Sequence, residues 1–233
     1  MKKYTTVAMV AVRPIVWKLL LIILAMTAVE TGLFLLRWEG CDHTNCFIDN
    51  IYVFPRIVYS LALTALTAVI LRQGNWLAPG KPGYTMRRTP DKEGVSALIW
   101  MGIYFAAYLI LRAAQIMIIF AIWKLFDGAD PFPLVMEFYT DSFFHGLFPM
   151  ENTVRHLRNL IWTLSVSATL SGAAYARRRG VNQIGPFILL SVELAFMGGG
   201  IELMGLEICL MGFIVLVAVF SVFNAWRAND ETN

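Results

Sequence analysis

ALIWMGIYFAAYLILRAAQIMIIFAIWKLF, residues 97–126, carries one charge, Arg112, before Lys124 near its end. At about 1.5 Å of rise per residue, a helix of this length exceeds the ~30 Å hydrocarbon core of a bilayer, so it can tilt or project beyond it. Comparable apolar runs recur along the chain. The whole sequence of 233 residues is 58% hydrophobic and only 15% charged, with a mean hydropathy of +0.63. A soluble domain of this length is nearer half apolar and a quarter charged. The sequence therefore reads as an all-α polytopic membrane protein, a single transmembrane domain over residues 1–233, with the lipid bilayer as its first partner.

Working outward from residues 97–126, six spans are expected, at about 14–36, 54–71, 97–126, 160–176, 184–204 and 205–226. The last two are joined by almost nothing and form a tight hairpin. The first run is too long for a signal peptide and lacks a cleavage triplet, so it reads as a retained span. Lys2, Lys3, Arg13, Lys18, Arg72, Lys81, Arg87, Arg88, Lys92, Arg177, Arg178, Arg179 and Arg227 fall on one side of this arrangement, the larger part of the 19 Lys and Arg residues. The positive-inside rule puts that side, with both termini, in the cytoplasm.

Residues 127–159 then form the longest outer connection, too polar to span. Within it, FYTDSFFHGLFPMENTVRHLRN (138–159) mixes aromatics with acids, two histidines and two arginines. The stretch DPFP opposes helix at the start of the connection. An amphipathic helix over about 134–148 is expected to follow and lie on the outer membrane surface, its phenylalanines and Leu147 against lipid or protein. Asp141 and His145, four residues apart, would share its hydrated face, with His156 nearby. A divalent ion is conceivable there, but the spacing matches no metal signature and an Asp–His hydrogen bond accounts for it, so no metal is assigned. Cys41 and Cys46 frame CDHTNC in the first outer loop; they can close a small disulfide there or remain free thiols.

Catalytic signatures are absent: the sequence contains no GxxxxGK[ST], HExxH or GxSxG, and no enzyme activity is assigned. No basic stripe or fold signature points to nucleic acid. The fourth span, rich in Ser, Gly and Ala (SVSATLSGAAYA), reads as a close-packing face. The intramembrane charges Glu30, Arg112 and Glu193 are more informative, because a lone charge in hydrocarbon is costly and faces a partner or a wet cavity. Arg112 and Glu193 are expected to pair, with Gln115, one turn away, completing the network and Glu30 as the second candidate partner. A transport path through these residues is the other reading. Glu202 and Glu207 flank the outer turn and are expected to be solvated.

Six spans with both ends inside, an amphipathic lead and a polar cytoplasmic connection between the second and third spans resemble ABC-2-type permease subunits. GKPGYTMRR (80–88) and the 138–159 stretch resemble segments of small permease-like proteins from bacterial ABC-exporter gene clusters. The resemblance implies a lead lying along the inner membrane surface and a coupling element in the 72–94 connection, with Tyr84, Arg87 and Arg88 at or near an ATPase contact. It implies a permease-like subunit of an ATP-driven exporter in the bacterial plasma membrane, paired with a second copy or a related membrane subunit. ATP would be bound by a separate cytoplasmic ATP-binding-cassette subunit, this chain holding no cofactor. Such exporters place their outer helices between the last two spans, whereas here the long outer element follows the third. A non-transporting scaffold or sensor, and an ion-coupled carrier using Arg112 and the glutamates, are the alternatives.

Overall fold

A computed structural model describes residues 2–38, 54–74, 93–126, 141–149, 153–177, 183–196 and 204–230. Every regular element among them is an α-helix: α1 (Lys2–Trp38), α2 (Phe54–Gly74), α3 (Glu93–Phe126), α4 (Ser142–Leu147), α5 (Thr153–Arg177), α6 (Gly185–Phe196) and α7 (Met204–Asp230). Four contain stretches long and apolar enough to cross a membrane: Val12–Leu36, Phe54–Arg72, Gly94–Leu125 and Met204–Arg227. The all-helical, membrane-type architecture is thus present with four clear spanning candidates.

The expected fourth and fifth spans differ for two distinct reasons. Helix α5 covers residues 160–176 but begins with Arg155, His156 and Arg158 and continues through Ser and Thr, so its composition is not that of a lipid-facing span. Helix α6 is apolar, but its 12 described residues reach only about 18 Å; the rest of the 184–204 stretch lies outside the described residues.

Burial explains how α5 is accommodated. It packs against α2, α3, α6 and α7, and Trp162, Val166 and Leu170 are all but sealed from solvent. A helix shielded from lipid by its neighbours has no need of an apolar surface. Its buried hydroxyls bond locally: Thr163 and Ser167 donate to the carbonyls of Asn159 and Thr163, each at 2.7 Å, and Thr169 donates to that of Val166 at 2.9 Å. Ser171 reaches across to the carbonyl of Ala97 on α3 at 2.8 Å. Trp162 donates its indole N–H to the Leu189 carbonyl on α6 at 2.8 Å and packs edge-on to Tyr108 of α3.

The small-residue reading of α5 matches its packing on α7. A methyl group at Gly172 would lie 3.6 Å from the Ala225 Cβ and 3.9 Å from the Val222 backbone, close helix contact without collision. At Gly185 of α6 a methyl group would strike the Ser221 side chain, so glycine there lets α6 approach α7.

Helices α1 and α7 are peripheral and one-sided. Along α1, Ile15, Leu19, Met26, Glu30 and Phe34 are buried, while Trp17, Leu20, Leu24 and Leu36 are exposed. Along α7 the buried stripe is Glu207, Leu210, Ile214, Ala218, Ser221 and Ala225, and Phe213, Leu216, Phe220 and Phe223 face outward. Outward-facing large apolar side chains on long helices are what a lipid environment accommodates. Cys209 is among the exposed positions of α7. The lead also differs from the resemblance: residues 2–13 are the first turns of α1, which runs unbroken through Pro14 rather than forming a separate surface element.

Candidate functional site

The polar side chains of the bundle collect at one end, which is formed by the second halves of α1 and α3, the starts of α2, α5 and α7, and the end of α6. Arg112 of α3 donates through Nη2 to Glu193 Oε1 of α6 at 3.0 Å, and both side chains are largely buried. Tyr59 of α2, fully buried, lies beside them within electrostatic reach of both. Arg112 and Glu193, expected from the sequence to meet, therefore do so.

Gln115 is arranged differently from the expectation. It does not extend the Arg112–Glu193 pair but donates through Nε2 to Glu30 Oε1 of α1 at 2.8 Å. Residues 112 and 115 lie on neighbouring faces of α3, so this helix serves α6 with one side and α1 with the other.

A second ion cluster was not expected from the sequence. Glu207, at the start of α7 and 1% exposed, receives Arg155 Nε at 3.1 Å and Arg158 Nη1 at 3.1 Å on each carboxylate oxygen. The expectation of a solvated Glu207 is corrected, as is the assignment of Arg155 and Arg158 to an aqueous outer connection. Two signals in the sequence point to the cluster. Arg155 and Arg158 are spaced i, i+3 on one helix face, and Glu207 begins the stripe that Leu210 and Ile214 continue. Glu193 lies within electrostatic range of Arg158 and Glu207 as well as Arg112, so the two clusters are continuous.

Helix α4 closes this end. Asp141 caps it, Oδ1 accepting from the backbone N–H groups of Phe143 at 2.8 Å and Phe144 at 3.0 Å. Phe143, Phe144 and Leu147 are buried, and the Phe143 ring stands edge-on to Tyr59 with centroids 6.2 Å apart. Asn159 of α5 donates to the Gly146 carbonyl at 2.8 Å and accepts from Arg158 Nη2 at 3.2 Å, tying α4 to the arginine cluster. The expected surface helix over 134–148 is corrected for its described part: six residues are helical, and their apolar side chains insert into the bundle instead of lying on it. The aromatic density suits an interface and a core equally, and Asn159, itself bonded to Arg158, settles the choice by holding the last turn of α4 inward. His145 lies in that last turn, half-buried, and exposed His156 packs edge-on to Phe148 at 5.5 Å.

Chemically, this end holds three guanidinium groups, two carboxylates matched to them, and one carboxyl paired with an amide. Among the described residues no group of His, Cys, Asp and Glu is arranged to hold a metal ion. The opposite end is held by neutral contacts: Gln183 donates to the Ser221 carbonyl at 2.8 Å and accepts from the Ser221 hydroxyl at 3.1 Å. Toward that end, an apolar groove of about 480 Å³ opens sideways between α3, α5 and α7, lined by Met101, Leu164, Ala168, Val219 and Phe223 among others. Tyr84, Arg87, Arg88, Cys41 and Cys46 lie outside the described residues. No protein-family profile, curated protein sequence or solved structure matches this chain.

Proposed function

We propose that this chain is a permease-like transmembrane subunit of an ATP-driven exporter in a bacterial plasma membrane, with six spans and both termini cytoplasmic. ATP is bound and hydrolysed by a separate cytoplasmic subunit. The observation that carries this reading is the internal matching of the buried charges. Arg112, Arg155 and Arg158 are each bonded to Glu193 or Glu207, so the polar end acts as a staple between helices and not as an ion path within one chain. A conduit then needs a second membrane subunit, either another copy or a related chain, and the sideways-opening groove between α3, α5 and α7 offers an apolar face for that assembly. In the six-span reading α5 crosses as an interior helix, and α6 with the residues after it completes the fifth span. The basic 72–94 connection, with Tyr84, Arg87 and Arg88, is the docking element.

The test is purification of the tagged chain in mild detergent, with identification of what co-elutes. A stoichiometric cytoplasmic ATPase is expected, released when Arg87 and Arg88 are both changed to Glu. Because single exposed ion pairs are worth only about 0–1 kcal/mol, both must be reversed together. Absence of any ATPase from the preparation overturns the proposal. It would leave a non-transporting scaffold, which the same internally paired charges also support.

A further inference from the structure

We propose that Glu30 is a proton-binding site, its carboxyl held as a neutral acid in a two-hydrogen-bond pair with the Gln115 amide at the joint between α1 and α3. The inference goes beyond the exporter reading and does not depend on it. Glu30 is 2% exposed and Gln115 fully buried, on helices that pack directly against each other. One hydrogen bond joins them, from Gln115 Nε2 to Glu30 Oε1 at 2.8 Å. The two remaining side-chain polar atoms, Glu30 Oε2 and Gln115 Oε1, are both buried without a hydrogen-bond partner.

Both orphan atoms are acceptors when Glu30 is ionised, and a buried acceptor without a donor carries its full desolvation penalty. A carboxylic acid and a primary amide are complementary along two edges, acid O–H to amide oxygen and amide N–H to acid carbonyl. The second of these bonds is present, and a proton on Oε2 would supply the donor that the first requires. One proton therefore satisfies both orphan atoms and removes a charge from a joint next to lipid.

Among the described side chains, none of the neighbouring charges is bonded to Glu30. From α2, Arg56 is exposed and Tyr59 lies beside Arg112; from α3, Arg112 is bonded to Glu193, Lys124 is exposed and the Tyr108 hydroxyl is bonded to Thr67. On α1 itself, Arg37 lies two turns away and Arg13 and Lys18 at least three. Loss of the proton would leave a carboxylate with no bonded counter-charge among the described side chains and weaken the hold of α1, which packs mainly on α2 and α3. The pair thus makes the α1–α3 joint responsive to proton activity.

Infrared spectroscopy of the purified chain in lipid nanodiscs provides the test. The wild type at neutral pH is expected to show the C=O band of a hydrogen-bonded carboxylic acid, and Glu30→Gln to lose it. The substitution is nearly isosteric, and an amide at position 30 can still donate to Gln115 Oε1 and accept from Nε2. Glu30→Gln should therefore fold, and its melting temperature should stay level as pH rises while that of the wild type falls. Gln115→Met should retain the acid band but shift it toward the position of an unbonded acid. Absence of an acid band at neutral pH, or its persistence in Glu30→Gln, overturns the proposal. So does a rise in melting temperature with added sodium or potassium chloride that Glu30→Gln abolishes, because a metal cation would then be what fills the two orphan oxygens.

Discussion

Arg112 and Glu193 lie 81 positions apart in the sequence, and their side chains meet at 3.0 Å between α3 and α6. Each alone would be a charge buried in a membrane bundle, costing roughly 2.5–3.5 kcal/mol on insertion scales. Arg112→Ala and Glu193→Ala should each lower the melting temperature of the purified protein, and the double variant should lose less than the sum of the two. Strictly additive losses would show that the pair is not coupled.

Glu207 serves two arginines at once, so its replacement should cost more than that of either partner. Glu207→Gln strands Arg155 and Arg158 together, whereas Arg155→Ala leaves Arg158 bonded to both carboxylate oxygens. Breaking a buried ion pair from one side costs about 3–5 kcal/mol, and Arg155→Ala should fall clearly below that range. Equal losses in reversible unfolding would contradict the shared arrangement.

The α6–α7 contact can be checked by clash and rescue. A methyl group at Gly185 meets the Ser221 side chain, and overpacking of this kind costs about 1–3 kcal/mol. Gly185→Ala should destabilise the protein, and adding Ser221→Gly should recover most of the loss. Failure of the second change to help would place the conflict elsewhere.

Helix α4 predicts a contrast between two phenylalanines five positions apart. Cysteine placed at 143, where Phe is 1% exposed, should resist both aqueous and lipid-borne reagents, while cysteine at 148, where Phe is 43% exposed, should react. Asp141→Ala removes the cap of α4 at about 0.5–2 kcal/mol, and should make position 143 reactive. Strong labelling at 143 in the otherwise unchanged protein would return α4 to the membrane surface.

The sequence made the membrane environment legible through long apolar helices, and it made the Arg112–Glu193 pair legible because isolated charges in such helices need partners. It misled at Glu207, Arg155 and Arg158 for a definable reason. Near the end of a span, a charged residue reads as solvated whether or not a neighbouring segment covers it, and the covering helix α4 is only six residues long. The register of Gln115 was hidden for a related reason: two polar residues one turn apart on α3 can serve one neighbour or two. Only the placement of α1 decides between them.

The burial of α5 bears on how the chain is made. In the six-span reading, α5 is the helix least able to enter lipid by itself, since Arg155, Arg158 and its buried Ser and Thr residues find their places only among neighbours. Its carboxylate partner Glu207 and much of its packing surface belong to α7, which follows it in the chain. In that reading α5 cannot settle in lipid before α7, made after it, is there to pair with its arginines, so insertion of the one helix waits on the other.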